Sequence, residues 1–434
     1  MNRITFKNAY LKFCIKDNNI IIDELSFDCF KELRFLIDRL VTINYLKLND
    51  LNRIIYQGDK DLSIYHFKKD KGTYFLNCKK IKVRRFVQIG DGLTGKFNNI
   101  CDVPGVLVGH FTLNHDDYHT GVTVINPHPG NLFKEKVVGA GYSFNGFGKS
   151  VGLVQVEELG TIESNVVFTT TMNVGKVMDG VIEKALEDNP EIAITTGTIN
   201  SLVMECNDGS LNKSRDRILD KNSYFKALEN LTSDFIQGDV GAGMGMTCHG
   251  FKGGIGSASR LIEYEGKVYT LGIIVNSNFG SGNGKDMIFK GRSLGNKIIA
   301  YNEATEDKGS IVACLATDLP LNERQIKRLL KRVEIGIGRT GSYAGNGSGD
   351  VFVGFSTANK VNHFADKPID NIERFSDNYI NTVFKRTVEA TEEAVLNSML
   401  YSHHLKGYLK EVKALNEYNE LFNDLFDEVI EYEV

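Results

Sequence analysis

Long hydrophobic runs and proline are scarce in this sequence, and each scarcity narrows the class of protein. No stretch of about 18 consecutive apolar residues occurs, which argues against a membrane-spanning helix. The first residues alternate apolar and charged side chains, without an apolar segment of signal-peptide length. We therefore expect a cytoplasmic protein with no membrane partner. Only 6 prolines stand against 43 glycines, and the glycines are clustered, so they mark tight backbone rather than linkers.

Paired cysteines are also missing. The 7 cysteines are scattered, odd in number and without a C-x-x-C pair, which argues against a disulfide framework and a structural zinc site. A net charge of −4 gives no general electrostatic reason to expect nucleic acid as a partner. With 42% hydrophobic residues among 434, the chain can bury a large core, which fits one large domain and a smaller one.

The two ends of the chain differ in charge from the middle. Residues 1–84 carry an excess of basic side chains, and residues 27–40 have apolar side chains at a helical period between strand-like runs. They predict a small basic α/β unit, with a solvated basic face favoured over nucleic-acid binding because no helix-turn-helix or zinc pattern occurs. Residues 409–434 predict an acidic helical tail.

The middle of the chain, residues 85–408, alternates short apolar strands with amphipathic helices. This order favours a layered α/β or α+β core. After Pro320, apolar residues recur at a helical period. The predicted strands are GVTVI (121–125), EIAITTG (191–197), VYTLGIIV (268–275), SIVACLAT (310–317) and VFVGFS (351–356).

Two motifs carry only weak chemical signals. FNGFGKS, residues 144–150, ends like a phosphate-binding loop, but position 143 is serine where that loop needs its first glycine, so an ordinary turn is favoured. His110, His115 and His119 could gather around a metal, but their spacing matches no known motif. We favour a surface loop and expect no metal and no cofactor.

Small polar residues stand beside glycine-rich segments and strand ends. The densest glycine segment, residues 238–260, could present backbone amides to a substrate or form a tightly packed crossing. Ser348 and Asp350 immediately precede a predicted strand, at an edge where sites are commonly built. Asn278 follows another strand, and its amide could hold a turn or donate to a developing oxyanion.

Ser310 stands at the first position of the strand SIVACLAT, directly after Gly309. The sequence has no G-x-S-x-G elbow and no histidine close to this serine, so the usual base is missing. Cleavage before Ser310 would supply its own α-amine, with a reference pKa of about 7.7–8.0, as the base. Glycine at 309 offers little hindrance to attack on its carbonyl. Gly-Ser pairs are common, so the local pattern leaves an ordinary strand start open as well.

Several long segments together resemble the DmpA-type P1 peptidases, the L-aminopeptidase/D-esterases and β-peptidyl aminopeptidases. The resemblance covers roughly residues 84–407, and the segments occur in the family's order. It implies a four-layer αββα sandwich of the type shared with ornithine acetyltransferases. The small N-terminal α/β unit and the acidic tail fall outside the resemblance. The segments that carry it include NNICDVPGVLVGHFTL, GDVGAGMGMTCHGFKGGIGSASR, VNSNFG, GSIVACLATDLP and GRTGSYAGNGSGDVFVGFSTAN.

The resemblance also implies roles for individual residues. The chain would cleave itself between Gly309 and Ser310, and Ser310 would then be the nucleophile with its freed α-amine as base. Ser348 and Asp350 match the serine and acidic residue that orient the nucleophile and amine. Asn278 matches the asparagine of the oxyanion hole.

Two further residues would bind the substrate. Glu205 matches the acidic residue that holds the free ammonium of the substrate, and Asn207 stands near the position where some members carry tyrosine. The implied activity is that of a self-processing aminopeptidase acting on small peptides, amides or esters with a free amine, without a cofactor and as a homo-oligomer. An acyltransferase of related fold and an uncleaved binding or regulatory protein remain the alternatives.

Overall fold

The structure is a computed structural model that describes most of the chain in two compact units. The first unit comprises residues 1–86 and 418–434, and the second comprises residues 87–417. The boundary thus lies after Phe86, against a predicted one after residue 84. The described residues are 2–6, 9–16, 19–26, 36, 53–57, 68–70, 73–77, 89–294, 309–417 and 430–432.

The helices and strands are numbered here in chain order. The helices whose bounds lie within the described residues are α1 (Leu153–Leu159), α2 (Val174–Asp188), α3 (Lys221–Glu229), α4 (Glu323–Gly338) and α5 (Ile380–Leu400). The strands are β1 (Asn2–Phe6), β2 (Ala9–Lys16), β3 (Asn19–Ser26), β4 (Arg53–Tyr56), β5 (Lys68–Asp70), β6 (Thr73–Asn77), β7 (Leu107–His115), β8 (Tyr118–Asn126), β9 (Glu135–Gly146), β10 (Thr161–Ile162), β11 (Val166–Thr170), β12 (Leu202–Cys206), β13 (Thr247–Cys248), β14 (Phe251–Lys252), β15 (Gly254–Tyr264), β16 (Lys267–Asn278), β17 (Ile288–Phe289), β18 (Arg292–Ser293), β19 (Ser310–Thr317), β20 (Gly349–Asn362), β21 (Leu405–Lys406), β22 (Glu411–Val412) and β23 (Ile430–Tyr432).

The first unit contains a seven-stranded sheet in the order β23-β1-β2-β3-β4-β6-β5. Alternating side chains such as Leu11 and Phe13 on β2 are buried, as expected for a strand with one covered face. Leu36 is helical, and the rest of the helix predicted over residues 27–40 lies outside the described residues.

The C-terminal residues differ from the predicted helical tail over 409–434. Val412 lies in β22 and packs with Leu211, Met244 and Leu405 of the second unit. Residues 430–432 form the edge strand β23, because the isoleucine and tyrosine there alternate with glutamate at the period of a strand. The tail residues 418–429 lie outside the described residues.

A six-stranded sheet forms the centre of the second unit, in the order β10-β9-β20-β19-β16-β15. Only β19 and β20 run parallel to each other, and the connection between them contains α4. The apolar run of β19 is buried on both faces, which explains its nearly continuous hydrophobic sequence. Helices α4 and α5 pack side by side on one face of this sheet.

The helix predicted after Pro320 is confirmed as α4. Asn322 caps its first turn, because the side chain accepts a hydrogen bond from the backbone N–H of Gln325 and the Gln325 side chain accepts from the N–H of Asn322. The apolar residues of the predicted stripe are all buried: Ile326, Leu329, Leu330, Val333 and Ile337.

A four-stranded sheet, ordered β12-β11-β8-β7, lies across the other face of the six-stranded sheet. Strands β8, β11 and β12 are buried on both faces, whereas the edge strand β7 is partly exposed. One face packs against the six-stranded sheet, with Phe168 and Met204 in the same core as Val312 and Val353. The opposite face packs against α2 and α3, in a second core that includes Val124, Val203 and Tyr224. The second unit is therefore an αββα sandwich, which confirms the predicted fold.

The strand predicted over residues 191–197 is wrong. The backbone N–H groups of Ile194, Thr195 and Thr196 all donate to the carbonyl oxygen of Glu191, which closes a compact turn. Ala193 has a φ of +60°, a conformation incompatible with a regular strand. These local bonds satisfy the backbone without a neighbouring strand.

Two further findings bear on the sequence interpretation. In the part of the chain that the structure describes, no helix is long and apolar enough to cross a membrane. The predicted strands at 121–125, 268–275, 310–317 and 351–356 all lie within observed strands.

Candidate active site

Three neighbouring strands of the six-stranded sheet meet in register at Ser310. Ser310 begins β19, and its register partners are Asn278, the last residue of β16, and Gly349, the first residue of β20. Adjacent strands lie about 4.8 Å apart, so these three residues form a row across the sheet at its edge. The sequence motifs that were far apart in the chain therefore meet because their strands start or end at the same level.

The Ser310 side chain is buried, with a relative exposure of 7%. Its Oγ accepts a hydrogen bond from the backbone N–H of Gly349 at 3.2 Å. Gly309 packs so closely that a Cβ added to it would lie 2.1 Å from the carbonyl oxygen of Asn278 and 2.3 Å from the Cα of Phe279. Only glycine fits at position 309, which adds a steric reason to the chemical one given by the sequence.

Ser348 and Asp350 flank Gly349 and bind each other. The Ser348 hydroxyl donates to Oδ1 of Asp350 at 2.7 Å, and both side chains are almost fully buried. The loop before them is fixed by Asn145, whose side-chain amide donates to the carbonyl oxygen of Gly345 at 2.8 Å. Because Asp350 is the register partner of Ile311, the pair lies beside the first peptide units of β19.

The Asn278 side chain is held at both ends by backbone groups. The N–H of Thr247 donates to its Oδ1 at 3.0 Å, and its Nδ2 donates to the carbonyl oxygen of Asn207 at 3.0 Å. These two contacts define which end of the amide carries the NH₂ group. An amide NH₂ has two N–H donors, so one donor remains for a further acceptor.

Glu205 belongs to the four-stranded sheet, and its side chain lies near the row of residues that contains Ser310. It lies on β12 and is buried, and its Oε1 accepts a hydrogen bond from the backbone N–H of Lys149 at 2.7 Å. Its Oε2 accepts from the hydroxyl of Thr171. A Cβ added to Gly148 would lie 3.6 Å from Oε1 of Glu205 and 3.9 Å from the Cα of Gly349. The backbone at Gly148 therefore lies between the Glu205 carboxylate and Gly349, the register partner of Ser310.

Asn207 contributes to this arrangement through its backbone. Its carbonyl oxygen accepts from Asn278, while its side-chain oxygen accepts from the N–H of Gly209 at 2.9 Å and closes a turn. The side chain is exposed. The sequence had singled out this side chain as a substrate contact, and the structure places its carbonyl oxygen against the Asn278 amide.

Sequence reasoning missed the threonines that hold the acidic residues. Thr170 donates to Asp208 at 2.6 Å, and the next residue, Thr171, donates to Glu205. Burial raises the pKa of Asp208, and hydrogen bonds from Thr170 and Asn212 oppose this effect. Strands β11 and β12 run parallel and pair up to Thr170 and Cys206, so their carboxyl ends lie side by side. Polar residues at the carboxyl ends of two neighbouring parallel strands were the signal that could have revealed these contacts.

A second carboxyl group near Asp350 was also missed. Glu334 lies on α4, and burial, with a contribution from the negative charge of Asp350, raises its pKa to about 8. Its position on the helix carried no sequence signal, because the contact depends on how α4 packs on the sheet.

The three histidines considered as metal ligands have separate partners. His110 is hydrogen-bonded through its two ring nitrogens to Thr123 and the carbonyl oxygen of Ile236, and His119 through Nδ1 to Asn114. Among the described residues, no group of three or more histidine, cysteine or acidic side chains is placed to hold a metal ion. The glycine-rich stretch 146–149 follows β9 and crosses beside Gly349, where it places the Lys149 amide against Glu205.

The geometry combines a buried serine hydroxyl, an oriented amide donor and a carboxylate in a αββα sandwich. A serine hydroxyl can supply a nucleophile, an amide N–H can stabilise an oxyanion, and a carboxylate can bind a cation.

The sequence profile described as peptidase family S58 matches residues 98–412. The β-peptidyl aminopeptidase BapA of Sphingosinicella microcystinivorans is 32% identical to this chain over 339 residues, which cover 73% of this chain and 84% of that protein. The chain therefore belongs to peptidase family S58.

Solved structures agree with this assignment. The PH0078 protein from Pyrococcus horikoshii OT3 is 43% identical, with a TM-score of 0.74 over 78% of this chain and 96% of that one. The L-aminopeptidase D-Ala-esterase/amidase from Ochrobactrum anthropi, described as a variant of the Ntn hydrolase fold, is 32% identical with a TM-score of 0.72, covering 78% of this chain and 96% of that one. The chain is a hydrolase of the N-terminal-nucleophile serine aminopeptidase class, and the family resemblance seen in the sequence is confirmed.

Proposed function

We propose that the chain cleaves itself between Gly309 and Ser310 and then removes N-terminal residues from peptides, amides or esters that carry a free amine. The observation that carries this proposal is the row formed by Asn278, Ser310 and Gly349 at one sheet edge. We further propose that the enzyme is a cytoplasmic homo-oligomer.

Self-cleavage would use groups already positioned around the bond. The Ser310 hydroxyl attacks the carbonyl carbon of Gly309, its proton passes to the departing Ser310 nitrogen, and the peptide becomes an ester. Water then hydrolyses the ester, which restores the hydroxyl and leaves a carboxylate on Gly309 and a free α-amine on Ser310. The close packing of Gly309 against Asn278 and Phe279 supports this role, because it fixes the peptide beside the amide donor.

The freed α-amine would serve as the general base in catalysis. Its reference pKa of about 7.7–8.0 leaves a useful neutral fraction near pH 7. Ser348 and Asp350 would orient the amine and the hydroxyl, since their mutual hydrogen bond lies beside the start of β19. Ser310 attacks the substrate carbonyl, the base carries the proton to the leaving amine, and water releases the acyl group.

Asn278 would stabilise the oxyanion formed in both steps. Its amide is oriented by Thr247 and Asn207, so its remaining N–H donor needs no reorganisation when negative charge develops. Removal of one preorganised donor of this kind typically lowers kcat by about 10²–10³-fold.

Glu205 would bind the ammonium group of the substrate. An ionised carboxylate offers about four acceptor positions, and the Lys149 N–H and the Thr171 hydroxyl occupy two of them. An ammonium bound there fixes the first residue of the substrate relative to Ser310, which accounts for cleavage at the N-terminus.

Denaturing electrophoresis of wild type beside Ser310→Ala tests the proposal. Wild type should yield fragments of residues 1–309 and 310–434, whereas Ser310→Ala should remain intact. Ser310→Cys is the matched control, because a thiol retains a nucleophile at the same position. An intact wild-type chain that nevertheless hydrolyses aminoacyl amides would contradict the proposed origin of the base.

A further inference from the structure

The segment that orients Asn278 contains a fully buried lysine. Lys252 lies on β14, and its ammonium group donates three hydrogen bonds to backbone carbonyl oxygens: to Gly243 at 3.0 Å, Met246 at 3.1 Å and Gly253 at 2.8 Å. An ammonium has three donors, so all of them are used within this one segment.

The burial of this charge is costly and needs a structural reason. Burial lowers the pKa of Lys252 to about 7, and the Asp239 carboxylate opposes the shift. Burial, together with the Lys252 charge, also lowers the pKa of His119. The hydrogen bonds to the carbonyl oxygens of Gly243, Met246 and Gly253 offset part of this cost.

The three carbonyl groups flank the short hairpin of β13 and β14 that carries Thr247: Gly243 and Met246 precede it, and Gly253 follows it. Thr247 on β13 is the register partner of Lys252 on β14. The turn is closed further by the N–H of Gly253, which donates to the carbonyl oxygen of Met246 at 3.0 Å. The ammonium therefore ties the second strand of this hairpin to Gly243 and Met246, which precede its first strand.

This hairpin delivers one backbone donor to the site. The N–H of Thr247 donates to Oδ1 of Asn278, and this contact sets the direction of the Asn278 NH₂ group. A chain of direct contacts thus runs from the Lys252 ammonium through the hairpin backbone to the amide assigned to the oxyanion.

We propose that Lys252 is a positioning residue for catalysis, which holds the Thr247 N–H in place and thereby aims the Asn278 amide at the developing oxyanion. The inference rests on the proposed role of Asn278. Lys252 acts on the transition state without contacting the substrate, so its loss should lower kcat and leave KM nearly unchanged.

Lys252→Met tests this inference, because methionine keeps an unbranched chain and removes the three donors. We expect kcat per cleaved enzyme to fall by about 10²-fold, the loss typical of a misplacement of about 1 Å, with KM within about threefold of wild type. The fraction of cleaved chain is measured by electrophoresis, so that a processing defect is not counted as a catalytic one. Lys267→Met is the matched control, since Lys267 is an exposed lysine at the far end of the strand that carries Asn278, and its kcat should be unchanged.

A double-mutant cycle with Asn278→Ala separates positioning from general support of the fold. If Lys252 acts through Asn278, Lys252→Met should have little further effect on kcat in the Asn278→Ala background. An equal fold-loss in both backgrounds would overturn the inference, as would an unchanged kcat in folded Lys252→Met. If the methionine variant does not fold, Lys252→Gln, which retains two N–H donors, is carried through the same cycle.

The proposed function fails in a different way. If Asn278→Ala alone leaves kcat unchanged, the oxyanion role of Asn278 is wrong. If Asn278→Ala lowers kcat and Lys252→Met lowers it independently, only the inference about Lys252 is wrong.

Discussion

Replacement of Glu205 by glutamine should reduce the preference for substrates with a free amine. The two side chains have nearly the same shape, but glutamine is neutral and exchanges one acceptor oxygen for a donor NH₂ group. Because the Lys149 N–H and the Thr171 hydroxyl already point at the two oxygens of Glu205, the new NH₂ group must face at least one of these donors. The variant thus loses the charge and disturbs the local hydrogen bonds.

The size of the effect follows from the contact that is lost. A hydrogen bond to a charged group contributes about 1.5–3 kcal/mol. At about 1.4 kcal/mol for each factor of ten, kcat/KM for a free-amine substrate should fall by about 10- to 150-fold. The N-acetylated counterpart has no ammonium, so its kcat/KM should change much less.

The assay compares kcat/KM for one aminoacyl amide with that for its N-acetyl derivative, in wild type and Glu205→Gln. Glu158→Gln is the matched control, because Glu158 is an exposed carboxylate on α1. A ratio between the two substrates that stays within twofold of wild type in cleaved Glu205→Gln would refute the assignment of Glu205 as the ammonium site.

Three further predictions concern cleavage, pH and stability. Gly309→Val should block self-cleavage on electrophoresis, since even a Cβ would lie 2.1 Å from the Asn278 carbonyl oxygen; normal cleavage would show that this packing is not required. The pKa of Glu334 is raised to about 8, so this group should contribute stability that is present below about pH 4.5 and lost as the pH rises through about 8. The free energy of unfolding of Glu334→Gln, measured by denaturant titration, should therefore rise relative to that of wild type between these two pH values. A difference between the two proteins that does not change with pH would contradict the shift. Arg260 is fully buried and donates a hydrogen bond to the Glu393 carboxylate at 2.7 Å. Arg260→Met should therefore lower the free energy of unfolding by about 3–5 kcal/mol, because it leaves a buried carboxylate without its cation. A loss below about 1 kcal/mol would mean that this carboxylate finds another partner.

Local patterns predicted the elements whose sequence and environment agree. SIVACLAT was predicted as a buried strand, and β19 has the same bounds, because its apolar residues are covered on both faces. Helix α4 was also predictable, since its apolar stripe and its Asn322 cap are local features. The strand predicted from EIAITTG was wrong because hydrogen bonds to the Glu191 carbonyl close a turn there, despite the strand-like composition of residues 191–197. Strand propensities of single residues contain no information about such bonds.

The residues of the candidate site were predictable only where they lie in a long motif that matches the family. Family motifs pointed to Ser310 and Asn278, but their adjacency comes from the register between β16 and β19. The contacts of Thr171 with Glu205 and of Thr247 with Asn278 join segments that are distant in the chain. Side-chain chemistry gives no hint of such pairs until the strands are aligned.

The strand order also determines what the proposed cleavage would do to the molecule. In the order β9-β20-β19-β16, the two inner strands come from residues after the Gly309–Ser310 bond and both outer strands come from residues before it. The two pieces would therefore be interleaved through shared backbone hydrogen bonds, and neither could leave without dismantling the central sheet. Cleavage would convert one chain into two chains that each need the other to form the sheet. The working lifetime of the enzyme would then depend on how slowly the cleaved protein unfolds, and not on reassembly of the two separated chains.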